Sequence, residues 1–182
     1  MNYLKHFKKI LIHKFWVCRY CFAAGLYRRG ITHDLSKFSP KEFIESAKYY
    51  QGDSSPIEAA KAENGYSIAW MHHKGRNTHH YEYWQDNFDQ GGQPIQMPYE
   101  DALELVCDYL GAGKAYQGKN FTYQGEYRWW IDKKSKPLAM HPNTLKFVDR
   151  MLEAISRCNN LSPLKKKCSK RIYDAIDNAS VA

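Results

Sequence analysis

The chain has no stretch near the 18 or so consecutive apolar residues that a membrane-spanning helix needs. Its first residues, MNYLKHFKKILIHKFW, mix apolar and basic positions. Lys14 and the histidines interrupt them too early for a signal-peptide core, and no small-residue cleavage site follows. The stretch reads as an amphipathic helix of the mature protein, and a cytoplasmic location is the expectation. The five cysteines are odd in number and scattered, which argues against a disulfide framework. Cys18 and Cys21 form a C-x-x-C with no second pair at zinc-ribbon spacing, so ordinary helix packing is the simpler account of them. Internal repeats, low-complexity tracts and linkers are missing. No stretch alternates over six residues, which leaves little room for strands.

Charge is not balanced. The net charge of +8 on 182 residues implies an anionic partner or substrate. Much of it is terminal, with Lys5, Lys8, Lys9 and Lys14 at one end and Lys165, Lys166, Lys167, Lys170 and Arg171 at the other. Such runs are commonly just solvated faces. Nucleic acid is a possible partner, yet no finger, homeodomain or aromatic RNA-binding signature is visible.

Helix punctuation is legible throughout. Ser39-Pro40-Lys41-Glu42 offers a capping serine, a proline at the first helical position and a glutamate at the third, and Ser55-Pro56-Ile57-Glu58 repeats the device. Pro98 with Glu100 and Asp101, His141-Pro142 and Ser162-Pro163 mark further starts. Apolar residues at helical spacing follow, among them Leu103, Val106, Cys107 and Leu110. The spacing predicts helices near 2–29, 40–51, 56–72, 98–116, 125–134, 142–158 and 163–178. The fold class is therefore all-α, a single helical domain over 1–182 with a basic C-terminal helix. Segments 30–39 and 74–97 resist the helical pattern.

Those two segments carry the chemistry. HHKGRNTHH, His72 to His80, holds four of the eight histidines in nine residues. A continuous helix would separate His73 from His80 by about 10.5 Å, far for one metal whose bonds are near 2.1 Å. Gly75 and Asn77 permit a break that folds the second pair back, and two ions about 3.5–4 Å apart would also accommodate both. The rival account is a solvated or hydrogen-bonded loop. Upstream, adjacent His33 and Asp34 can supply an imidazole nitrogen and a carboxylate able to bridge two cations. Lys37, one turn on, could hold a phosphate oxygen, although an Asp cap beside a solvated lysine would look the same. His13 shares a helix face with Ile10 and Val17 and points inward, as a ligand or as a histidine with an ordinary partner. Asp108 sits among Leu105, Val106, Tyr109 and Leu110, where an acid is paired, binds metal or turns to solvent. Glu104, one turn earlier, is its rival.

His13, then His33-Asp34 with Lys37, then the paired histidines, then Asp108, resembles the H…HD…H…H…D order of HD-domain metal-dependent phosphohydrolases. His33-Asp34-Leu35-Ser36-Lys37 is similar to that superfamily's HD-x-x-K. The fuller wording, HDLSKFSPKEF with AWMHHKGRNTHHYEYW, more closely resembles an uncharacterised family of small bacterial and phage proteins, over about residues 10–155. The resemblance implies an all-α domain with one or two divalent metals, and His and Asp ligands suit Mn, Fe, Zn, Co or Ni. It implies His13, His33, Asp34 and Asp108 as ligands, His73 and His80 as the additional pair in preference to His72 and His79, and Asp34 as the bridge.

The expected activity is hydrolysis of a nucleotide or related phosphate ester, with Asp34 and Lys37 catalytic and Lys37, Arg76 and Asn77 contacting substrate. Tyr81, Tyr83 or Trp84 could stack on a base, or simply pack in the core. Two rivals stand beside this reading: a basic module that binds nucleic acid or nucleotides without turnover, and a purely structural metal site.

Overall fold

A computed structural model describes residues 3–52 and 54–179. The ends of the expected domain at residues 1, 2 and 180–182 lie outside the described residues, as does Asp53. The fold is all-α. Nine helices lie among the described residues: α1 Tyr3–Ala24, α2 Tyr27–Thr32, α3 Pro40–Tyr49, α4 Pro56–Asn64, α5 Ile68–Lys74, α6 Tyr99–Gln117, α7 Tyr123–Lys134, α8 Pro142–Cys158 and α9 Lys166–Asn178. None is long and apolar enough to cross a membrane. Two strands of two residues, β1 Gln85–Asp86 and β2 Gln93–Pro94, pair antiparallel within the loop before α6.

Two predicted helices are broken. The 2–29 span divides at Gly25, whose φ of 79° ends α1, and a separate turn of helix, α2, then runs on to Thr32. The 56–72 span divides at Gly65, with φ of 80°, and Ser67 caps α5 by accepting from the Trp70 amide. Both are glycine stops of the kind that ends helices. Segment 30–39 is consequently part helix, since α2 covers its first residues and a 3-10 turn covers Leu35–Phe38.

α6 is the central strut. All eleven residues from Asp101 to Gly111 are buried, the pattern of a helix surrounded on every side. Leu103, Leu105, Val106 and Leu110 from α6 join Val17, Trp130, Phe147, Met151, Leu152 and Ile155 in one core. Each such side chain contributes about 1.5–3 kcal/mol by leaving water. Three acids ride the same helix at Asp101, Glu104 and Asp108, so three- and four-residue steps set them along one face. Closest approach to α1 occurs at Gly111, where a Cβ would lie 3.0 Å from the Val17 nitrogen and 3.2 Å from its Cα. Only a glycine fits there. Val17 is one turn past His13 and Gly111 one turn past Asp108, so this contact carries the two side chains toward each other.

Candidate metal centre

Four chain segments converge on one buried cluster. α1 contributes His13 from the face that also buries His6, Ile10 and Val17. α2 ends at Thr32, and the next two residues turn sharply, with Asp34 in the left-handed region at φ 56° and ψ 25°. Aspartate tolerates that conformation better than most residues, and strained backbone of this kind concentrates at functional sites. The turn leaves His33 and Asp34 only 2% and 1% exposed. α5 delivers His73 from its last turn, and the loop beyond Gly75 folds back to bring in His79 and His80. α6 supplies Asp108.

Asp34 is the hub. Its Oδ2 lies 3.3 Å from His13 Nε2, 3.3 Å from His33 Nε2 and 2.5 Å from Lys37 Nζ. Its Oδ1 lies 3.2 Å from His73 Nε2 and 3.4 Å from His79 Nε2. Asp108 Oδ1 closes the first group, 3.1 Å from His13 Nε2 and 3.5 Å from His33 Nε2. Three sets of donor atoms result, each compact enough to surround an ion: His33, His79 and Glu104, and two that meet at a shared aspartate, His13, His33, Asp34 and Asp108, and Asp34, His73, His79 and His80. Asp34 belongs to both of the latter.

The outward nitrogens of the rings are held by carboxylates. His33 Nδ1 donates to Glu104 Oε1 at 2.9 Å, and His79 Nδ1 faces the same oxygen at 3.3 Å. His73 Nδ1 donates to Glu42 Oε2 at 2.7 Å, while His72 Nδ1 donates to Glu42 Oε1 at 2.6 Å. Arg29 anchors Glu104 at 2.9 Å and Asp101 at 2.8 Å, and Thr78 donates to Asp101, which ties the histidine loop to α6. A proton on Nδ1 leaves Nε2 as a bare lone pair, the form that binds metal. The Nε2 atoms of His13, His33, His73, His79 and His80 are buried with no hydrogen-bond partner, as is Asp34 Oδ1, while Asp34 Oδ2 is met by the Lys37 ammonium. Lone pairs of nitrogen and oxygen at such distances repel unless positive charge sits between them. The donor set therefore fits a metal ion.

Titration behaviour points the same way. Burial pushes the Asp34 carboxyl up, but His33, Lys37 and His73 outweigh it and hold it well below the usual range. Burial likewise opposes the Asp108 charge, and His13 and His33 beside its carboxylate prevail. Glu104 is drawn down to about 2 against its burial by His33 and His79. His33 shows the converse, with burial outweighed by Asp34, Asp108 and Glu104, so that a proton and a metal ion would compete for its Nε2. The cluster attracts a cation.

Every metal-ligand candidate from the sequence, His13, His33, Asp34, His73, His80 and Asp108, meets in this cluster. His79, ranked behind His80, joins it, and His72 turns away to Glu42 and Arg76. Lys37 lines a cavity of about 210 Å³ that opens over His13, His73, His80 and Asp108. Arg76 and Asn77 do not line it: Arg76 Nε donates to His72 Nε2 at the surface, and Asn77 Nδ2 donates to the His73 carbonyl at 2.7 Å and to Ser36. Nor do Tyr81, Tyr83 and Trp84. Tyr81 is in the core, Trp84 donates to the Thr78 carbonyl at 2.7 Å, and Tyr83 is exposed.

The sequence reading missed Glu42 and His6. Glu42 stands where a capping glutamate would, yet its side chain turns inward to the histidines and the Ser39 side chain makes no cap bond. His6 lies two turns before His13 on the same face, a spacing that was available. It lines the cavity and is kept neutral by burial, then by Lys37, with its pKa lowered to about 4. Cys18 and Cys21 are free, and the Cys21 Cβ would be 2.9 Å from a Cβ at Gly30, so the pair packs α2 onto α1.

No curated protein and no solved structure matches the chain. Residues 2–154, which hold all of the cluster, match DUF5662, a family of unknown function, and the chain belongs to that family.

Proposed function

We propose that the protein is a divalent-metal phosphohydrolase with a dinuclear centre, acting on a nucleotide or related phosphate ester. The observation that carries this reading is the division of Asp34, one oxygen toward His13 and His33 and the other toward His73 and His79. A carboxylate so shared is suited to bridge two ions. Divalent ions held there supply Lewis acidity toward a phosphoryl oxygen and acidify water to near neutral pH.

The chain's own groups do the rest. Asp34 and Asp108 stay ionised and give the centre its negative charge. Lys37 stays protonated, because Asp34 and Asp108 outweigh the burial that opposes its charge, and it faces the cavity. It is placed to hold a phosphoryl oxygen and to offset the charge that grows there during attack. Lys9, on the same wall, adds positive potential, and neutral His6 can donate to an anion at the cavity mouth. Opening of the cavity onto the donor atoms favours this reading over a closed structural site. The order of motifs around His33-Asp34 and Lys37, which resembles that of HD-domain phosphohydrolases, supports the reading.

The test is a screen of phosphate esters with protein loaded with Mn, Co or Zn, beside Asp34→Ala and Lys37→Ala. Turnover that depends on metal, disappears in Asp34→Ala and falls about 10²-fold in Lys37→Ala is expected. Turnover that is unaffected by either substitution would end the proposal.

A further inference from the structure

A second, larger cavity of about 570 Å³ adjoins the one above the histidines, and the two share Ser55, Ile57, Trp70, Ala112 and Tyr116 as walls. This second chamber is lined by Glu126 from α7, a residue only 2% exposed. The Glu126 carboxyl has no hydrogen bond or ion pair with any described residue; burial and, after it, the Asp108 charge are all that act on it, and they push it up to about 8. An isolated buried acid is costly to keep, and α6 makes specific room for it. A Cβ at Gly113 would stand 1.9 Å from Glu126 Oε2.

A second acid lines the same chamber. Glu82 follows the histidine loop, and its Oε2 is buried with no hydrogen-bond partner. Lys61 and Lys133 also line the chamber and partly offset the Glu82 charge, Lys61 from over the Trp70 ring at 5.3 Å and Lys133 from over the Trp129 ring at 5.5 Å. The walls are flat and aromatic, from Trp70, Tyr116 and Trp129. Gly113 is five residues beyond Asp108, about 7.5 Å along the helix. A ligand anchored at the metal centre would reach Glu126 across a sugar-sized spacer.

We propose that this chamber receives the leaving group of the phosphate ester, and that the group is a flat ring presenting N–H donors to Glu126 and Glu82. The assignment rests on the phosphohydrolase reading for what occupies the first cavity. A carboxyl that keeps its proton near neutral pH offers one donor and one acceptor side by side, the complement of a ring nitrogen beside an amino group. Rings of that description stack on Trp and Tyr faces.

Nucleosides test the chamber without turnover. Adenosine, guanosine, cytidine and free ribose are titrated into the purified full-length protein, with Glu126→Ala, Glu126→Gln and Glu82→Ala beside it. At least one nucleoside should bind about tenfold tighter than ribose, and Glu126→Ala should lose about that factor. Glu126→Gln, which keeps a donor and an acceptor in place, should hold the affinity within about threefold, and Glu82→Ala should lose at least about threefold. Nucleosides that bind no better than ribose, or that bind Glu126→Ala and Glu82→Ala as well as the unsubstituted protein, would overturn the assignment. Hydrolysis of p-nitrophenyl phosphate by the metal-loaded protein reports separately on the phosphohydrolase reading, and its failure would leave the nucleoside comparison standing.

Discussion

Two groups of buried carboxyls lie side by side along α6, and burial has opposite outcomes in them. Asp34, Asp108 and Glu104 are drawn below their ordinary range although each is nearly inaccessible to water. Glu126, equally buried, rises to about 8. Burial alone favours the neutral acid, and only compensating positive charge reverses it. At the histidine cluster the compensation comes from imidazoles, Lys37 and Arg29; at Glu126 no described cation offsets the burial, and the Asp108 charge adds to it. One region is built to hold cations and the other to meet a neutral donor.

The largest expected effect comes from removing the hub of the first region. Asp34→Ala should reduce any metal-dependent phosphatase turnover at least about 10²-fold, measured under saturating metal, because both ligand groups lose their shared oxygen. Next is the stability of the second region as pH changes. An unfolded glutamate releases its proton near its ordinary pKa of 4.5, whereas folded Glu126 keeps it until about 8. Between those values the unfolded chain binds fewer protons, so stability falls as pH rises. Glu126→Gln has no such proton to lose. It should gain on the order of 4 kcal/mol over the parent at pH 9 and nearly nothing at pH 4, by denaturant melts at both. Equal gains at both pH values would contradict the isolated-acid account.

Glu104→Ala should weaken metal affinity about 10–100-fold, measured by competition with a chelating dye, since it frees the outward nitrogens of His33 and His79. Gly113→Ala should cost about 1–3 kcal/mol, because its Cβ collides with the Glu126 carboxyl, and less in a Glu126→Ala background. Arg76→Ala is the smallest. Its guanidinium touches only His72 at the surface, so turnover should change less than about twofold.

The same contrast explains what was legible in the sequence. The cation-binding region is spelled out in residue types that cluster: a His-Asp pair, four histidines in a short span and an acid among apolar neighbours. The all-α class was equally readable, from prolines and capping residues at helix starts. Glu126 gave no such signal, for it looks like any acid in the first turn of a helix, and its isolation depends on Gly113 from a distant segment. Glu42 was hidden by a plausible local role as a capping glutamate. The choice between His79 and His80 could not be made by spacing, because the hydrogen bond from the His80 amide to the Asn77 carbonyl folds the loop so that both rings reach Asp34. The breaks at Gly25 and Gly65 rest on single positive-φ glycines inside stretches that the apolar spacing reads as continuous helices.

The central claim is that the divided contacts of Asp34 hold metal, and elemental analysis of untagged protein purified without chelator addresses it directly. About one to two equivalents of a divalent transition metal per chain are predicted, and Asp34→Ala, with an unchanged circular dichroism spectrum, should retain almost none. Protein that takes up no metal after soaking in Mn or Zn, or an Asp34→Ala variant that carries as much as its parent, would contradict the account.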